Sequence, residues 1–206
     1  LSSFLYEGWE IYAFEPDKKN MNILKILSKG NAKLNLDNRG CSNESLQDIN
    51  FYKSDISTGI SSMSSFDKSH KKAEKISTVS ISDFVKEKNL SEIGFLKIDT
   101  EGHDLFVLQG VPWESLKPEF ILAEFEDRKT KKLGYDYHDM ANLLLKNGYA
   151  VYVSEWFPIE KYGEAHSWRN FSRYPYRLMD KNGWGNLIAF TNHSLIDQIE
   201  NTRLLK

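Results

Sequence analysis

The 206-residue chain carries 27 basic and 29 acidic residues for a formal net charge of −2, which excludes the basic surplus that grips nucleic acid or anionic lipid. With 40% apolar and 27% charged residues it has an ordinary globular composition, long enough for a sizeable core, and is read as a single domain over residues 1–206. The single cysteine, Cys41, excludes an internal disulfide. No apolar run reaches the roughly 20 residues that span a bilayer, and the N-terminus lacks the basic start and apolar stretch of a signal peptide. A cytoplasmic protein with no nucleic-acid or membrane partner is the expectation.

Leu1, Phe4 and Leu5 share a helical face and Gly8 stands where a helix-terminating glycine belongs, so the chain reads as entering on the tail of a helix with something upstream missing. Trp9–Phe14 alternates and is rich in aromatic and β-branched residues, predicting a strand that ends in Glu15-Pro16. A helix follows over about Asp17–Ser28, with Ile23, Leu24 and Leu27 on one stripe and Gly30 at its exit. Short strands are expected at Lys33–Leu36, before the turn Asp37–Gly40, and at Ile49–Lys53. The serine-rich segment Ser54–Lys75, with basic residues from Lys68 to Lys75, reads as an irregular loop with a solvated basic face. Ser80–Asp83 has the spacing of a capping box for a brief helix to about Lys88.

In Ile93–Gly110 a short apolar run (Phe95, Leu96, Ile98) ends in Asp99. A polar turn follows, and Leu105, Phe106 and Leu108 then recur at helical spacing until Gly110. Ligands bind beyond the carboxyl ends of strands in open α/β sheets, so Asp99 and Glu101 either stand at the rim of a site or cap the helix. Glu119–Phe125 predicts a second apolar strand that ends in acids: Glu124, Glu126 and Asp127. Tyr137, Met140, Ala141 and Leu144 stripe a helix closed by Gly148. Ala150–Glu155 and Asn186–Thr191 are strands joined without a helix, and Ser194 with Asp197 opens a last short helix. Alternating strand and helix predicts a mainly parallel sheet covered on both faces.

Tyr12–Pro16 (Y-A-F-E-P) and Phe95–Gly110 (F-L-K-I-D-T-E-G-H-D-L-F-V-L-Q-G), with R-G-C-S at 39–42, F-Y-K-S at 51–54 and S-T-G-I-S-S-M at 57–63, resemble the FkbM family of S-adenosylmethionine (SAM)-dependent methyltransferases. The likeness covers roughly residues 1–150. It implies an α/β, Rossmann-like class I methyltransferase fold with a mostly parallel sheet and a C-terminal antiparallel hairpin. It implies SAM as cofactor, with Glu15 on its ribose, the turn through Asn38 and Arg39 near its adenine, and Asp99 beside the methyl group or the methionine moiety. The family's first strand and glycine-rich turn (D-x-G-A-N-x-G) have no counterpart here, so they are expected to be missing and this fragment alone to bind cofactor weakly or not at all.

Methyl transfer to a hydroxyl needs an in-line approach and benefits from a general base. Asp99, Glu101, His103 and Glu124 are the candidates, His103 being expected to stay neutral beside a helix N-terminus; a lone histidine in a turn otherwise has no catalytic role. Asp99, Glu101 and Glu124 also make an oxygen set suited to a divalent cation, while no His/Cys spacing supports zinc, and no resident metal is assigned. The insertion 156–185 holds Trp156, Trp168 and Trp184 with Tyr162, Tyr174, Tyr176, Arg169, Arg173 and Arg177. These residues form an acceptor lid, pack the loop down, or make a contact in a homo-oligomer. The leading expectation is O-methylation of a small-molecule or glycan hydroxyl. The alternatives are a non-catalytic remnant or assembly module, and a nicotinamide-dependent oxidoreductase, for which no Tyr-x-x-x-Lys pair is present.

Overall fold

A computed structural model describes residues 2–54, 70–159 and 165–202. The chain opens on a short helix α1 (Ser2–Tyr6), and Gly8 then takes φ +84°, a left-handed conformation that costs glycine little. Strand β1 (Ile11–Phe14), helix α2 (Lys18–Leu27) and strand β2 (Leu34–Asp37) form one unit, with β1 and β2 parallel and Phe14 opposite Asp37. The Asp17 carboxylate accepts from the Lys19 and Asn20 amides and so fixes where α2 begins. A second parallel pair joins β3 (Gly40–Ser42) to β6 (Thr78–Ser80), and an antiparallel pair joins β4 (Ile49–Ser54) to β5 (His70–Ile76). Ser80 caps α3 (Ile81–Lys88) through the Asp83 amide.

The main sheet has five strands in the order β10 (Trp168–Arg173), β9 (Ala150–Trp156), β11 (Trp184–Phe190), β8 (Phe120–Phe125), β7 (Phe95–Ile98). Only β7 and β8 are parallel; β8–β11, β11–β9 and β9–β10 are antiparallel. On one face α4 (Asp104–Gln109) and α6 (Tyr137–Lys146) bury Leu108, Met140 and Leu144 against Ile121, Ala123, Val153 and Leu187, all closed to solvent. Between β8 and α6 lies the short helix α5 (Asp127–Thr130). Asp136 and Asp139 close a capping box at the start of α6. On the other face α7 (His193–Glu200) lays Leu195, Ile196 and Ile199 on Tyr152 and Phe190. Stacked rings cross that face from strand to strand: Phe4, Phe95, Phe120, Phe190, Tyr152 and Phe171, with neighbouring centroids 5.0–5.7 Å apart.

The mixed α/β architecture and the cover on both faces agree with the sequence. The antiparallel pairing of β9 with β11 is the expected C-terminal hairpin, but the sheet is not mainly parallel: among the described residues β1–β2, β3–β6 and β7–β8 are parallel, while β8–β11, β9–β10 and β4–β5 are also antiparallel. His70–Ile76 is a strand rather than loop, because β4 pairs with it antiparallel; residues 55–69 lie outside the described residues. The insertion contains β10, an edge strand whose Phe171 extends the stacked rings. The last helix begins one residue earlier than Ser194, because Asn192 is its cap and accepts from the Ser194 amide at 2.9 Å. Among the described residues no helix is long and apolar enough to cross a membrane.

Candidate functional site

Parallel pairing of Ile98 with Ala123 makes Asp99 and Glu124 lateral neighbours where β7 and β8 approach their carboxyl ends. Their carboxyl oxygens lie within 4.8 Å of each other, close enough for the two groups to titrate together. Two carboxylates in contact cannot both ionise cheaply. Burial, and then the charge of Asp99, push Glu124 up to about 9. Asp99 shifts the opposite way: burial would raise its pKa, but its bonds to Lys97 and to the protonated Glu124 hold it below the ordinary value. Lys97 Nζ lies 2.6 Å from Asp99 Oδ2. The pair is therefore one proton donor beside one ionised acceptor.

Glu101 completes the cluster from the turn between β7 and α4. Its backbone is left-handed (φ +54°), as is that of Gly102 (φ +91°). Asp104, fully buried, holds this turn by accepting from the Thr100 amide (2.8 Å), the Thr100 hydroxyl (2.9 Å) and the Gly102 amide (3.1 Å). Tyr135 Oη donates to the Gly102 carbonyl at 2.9 Å. Lys129, only 4% exposed, reaches Glu101 at 2.5 Å and Glu126 at 2.6 Å. Its burial favours the neutral amine, yet the two carboxylates override this and raise its pKa, so it is the resident counter-ion. Asp99, Glu101 and Glu124 offer oxygens within 4.8 Å of one another, a spacing compatible with a divalent cation, and Lys129 already neutralises part of that set.

Asp99 does not cap the helix that follows; Asp104 organises the turn and His103 occupies the cap position without a side-chain cap bond. His103 is held neutral by burial. Desolvation brings it down to about 4. Its Nε2 is 3.0 Å from Ser42 Oγ, its ring stacks on Phe106 at 4.4 Å, and its Nδ1 is buried with no hydrogen-bond partner among the described residues. A base this weak stays available without titrating near neutrality.

Glu15 stands at the end of β1, beside the end of β2, since the Glu15 amide donates to the Asp37 carbonyl at 3.0 Å. Its carboxylate accepts from the Asp17 amide (2.8 Å) and Asn20 Nδ2 (3.3 Å), so it also holds the start of α2. Arg39 is tied to Asp37 at 2.6 Å and to Glu87 at 2.9 Å, while Asn38 is exposed. Pro16, Asn38 and Arg39 share a cleft of about 170 Å³ with Lys18, Asp48 and Lys75 to Ser77. The structure thus forms two groups, one of Glu15, Asn38 and Arg39, the other of Asp99, Glu101, His103 and Glu124, on separately hydrogen-bonded sheets. A larger cleft of about 490 Å³, walled by α3, residues 111–115 and the end of α6, contains none of these residues. Sequence reasoning missed Lys129, Asp104 and Ser42. Asp104 lay inside the central motif, whereas nothing local marked Lys129 as the partner of an acid 28 residues away.

A family model described as Methyltransferase FkbM domain matches residues 2–151. The chain is also similar to the crystal structure of Methyltransferase FkbM from Methylobacillus flagellatus KT, with 16% sequence identity and a TM-score of 0.48 over 88% of this chain. The match covers 36% of that protein, so this chain spans about a third of its length. No curated protein matches the sequence.

Proposed function

This chain belongs to the Methyltransferase FkbM domain family, and from that premise we propose that it serves a SAM-dependent O-methyltransferase acting on a hydroxyl of a small molecule or glycan. The observation that carries the reading is the extent of the family match, whose residues 2–151 contain every candidate in both groups. The geometry supports it in two ways. The ends of β1 and β2 bring Glu15 close to a cleft lined by Pro16, Asn38 and Arg39, a fit for the ribose and base of a nucleoside. The ends of β7 and β8 present an ionised Asp99 next to a protonated Glu124, a fit for taking a proton from a hydroxyl while holding it in line.

When bound, SAM supplies an electrophilic methyl group on a sulfonium. In this reading Glu15 would accept hydrogen bonds from the ribose hydroxyls, and Asn38 and Arg39 would border the base. Asp99 would accept the proton of the acceptor hydroxyl, and the protonated Glu124 beside it would donate toward the Asp99 carboxylate. Glu101 and Lys129 keep the turn in register. Calorimetric titration of the full-length protein is the direct test. Micromolar binding of SAM or S-adenosylhomocysteine, lost in Glu15→Ala, supports the reading. Binding of NAD in place of SAM overturns it, as does no SAM binding at all.

A further inference from the structure

The register of the antiparallel strands lines up three indoles. Trp184 lies opposite Trp156, and Trp156 opposite Trp168, so one row of tryptophans crosses β11, β9 and β10. Two residues back along the same strands, Asn186 is opposite both Ser154 and Glu124. In a pleated sheet directly opposed residues point to the same face. The aromatic row and the polar row are therefore adjacent on one face, and the polar row ends at the Glu124–Asp99 pair.

Trp168 reaches this face through an irregularity. From Ser154 to Trp156 the partner strand advances two residues, while from Phe171 back to Trp168 β10 advances three, with the register shift falling between Trp168 and Asn170. One extra residue reverses the side a side chain points to, so without this bulge Trp168 would face away from Trp156. Bulges of this kind re-aim side chains near binding sites. The rings are also held. Trp156 and Trp184 have centroids 5.7 Å apart, Trp184 Nε1 donates to the Phe157 carbonyl at 3.0 Å, and His166 meets Trp184 edge-on at 5.3 Å. Trp168, at the edge, is 47% exposed.

We infer that Trp184, Trp156 and Trp168 form a stacking row for a saccharide acceptor, with Asn186 and Glu124 leading its reacting hydroxyl toward Asp99. Three strand spacings separate β10 from β8, about 14 Å, enough for more than one sugar ring. Sugars combine an apolar C–H face, which suits indole, with many hydroxyls, which suit a neighbouring row of hydroxyl, amide and carboxyl groups. An organic cation gains less here, because the acidic charges nearby already face Lys97, Lys129 and Arg128. A purely planar aromatic acceptor would leave the polar row unused. This inference deepens the methyltransferase reading and rests on it for the reaction, though not for the binding.

The test is a glycan array of neutral and amino di- and trisaccharides probed with the full-length protein, followed by calorimetry of the best ligand with and without SAM. The inference expects saccharide binding that weakens at least tenfold in Trp168→Ala and recovers within threefold in Trp168→Phe, with SAM affinity and melting temperature unchanged in both. Saccharide binding that survives while SAM binding is absent would support the row and remove the methyltransferase reading. SAM binding with no saccharide bound, or tight binding of a planar aromatic acceptor lost in Trp168→Ala, would overturn the row and leave that reading standing.

Discussion

Glu124 stores a pH dependence that a single substitution can expose. Its carboxyl, brought to about 9 by burial and then by the charge of Asp99, keeps in the folded state a proton that the unfolded chain releases near 4.5. Between those values the folded state binds more protons than the unfolded state, so stability falls as pH rises across that window. Asp99 has the opposite sign: its lowered pKa removes stability only as pH falls below its ordinary value of 3.8. Glu124→Gln keeps a hydrogen-bond donor toward Asp99 and has no proton to lose. It should flatten the alkaline decline, so that its stability relative to the parent is about 2 kcal/mol more favourable at pH 9 than at pH 6. That is roughly half of what ~1.4 kcal/mol per unit would give, because Asp99 and Lys129 share the charge. Chemical denaturation across pH 5–9 measures it, and parallel curves for the two proteins would mean the pair does not share a proton. The two acids were legible one at a time, each as an acid near the end of an apolar run. Their contact was not, because it depends on which strands pair and in which register. His103 makes the same point: its place beside a helix was readable, but the burial that lowers its pKa, with distant Ser42 in contact, was not.

At the scale of elements, the stretch after β9 depends on one buried carboxylate. Glu155 is fully closed to solvent and accepts from the Tyr176 hydroxyl (2.6 Å) and from the amides of Met179 and Asp180 (3.1 and 3.2 Å). Three donors on one carboxylate fasten the segment that returns the chain from β10 to β11, which is how an irregular connection keeps its polar groups satisfied. Part of the aromatic-rich insertion is therefore fastened through Tyr176; Tyr162 lies outside the described residues. Glu155→Ala removes all three acceptor contacts and should cost about 3 kcal/mol, with faster amide exchange at residues 179 and 180. Glu155→Gln retains one acceptor oxygen and should cost less than half as much. Urea denaturation with hydrogen exchange checks both, and a Glu155→Ala protein as stable as the parent would show that the segment holds itself. Glycine positions add a related constraint. A Cβ at Gly185 would meet the Ser154 carbonyl at 1.9 Å, so β11 approaches β9 beside Trp184 only because no side chain intervenes. Sequence periodicity located both strands and missed β10 between them, since an edge strand with a bulge and half-exposed rings carries no clean alternation.

For the molecule as a whole, the decisive feature is that the two groups of candidate residues sit on separately hydrogen-bonded units. Apolar and aromatic packing joins them: Phe84 of α3 meets Tyr12 and Phe14 edge-on at 5.2 and 4.7 Å, Phe4 stacks on Phe95 at 5.0 Å, and Trp9 lies against Gly94, where a Cβ would come within 2.7 Å of its ring. Many of the strands and helices were readable in order from the sequence because they carry their own period, whereas β5 and β10 were not. The division into units was not, because register and pairing are set by contacts far apart in the chain. A unit held by a two-strand ladder and a few rings opens more cheaply than a five-stranded sheet packed on both faces. Native-state hydrogen exchange should therefore find the amides of residues 11–14 and 34–37 opening sub-globally, well before those of 120–125, 151–156 and 184–190. A cofactor that touches Glu15 on one unit and Asp99 on the other binds only when both are in place, so SAM at 100 times its Kd adds about 2.7 kcal/mol against any opening that separates them. The gain belongs first to the β1–β2 amides, whose exchange passes through that opening. If SAM binds and these amides are not slowed, the cofactor does not span the two units, and the assignment of Glu15 and Asp99 to one site is wrong.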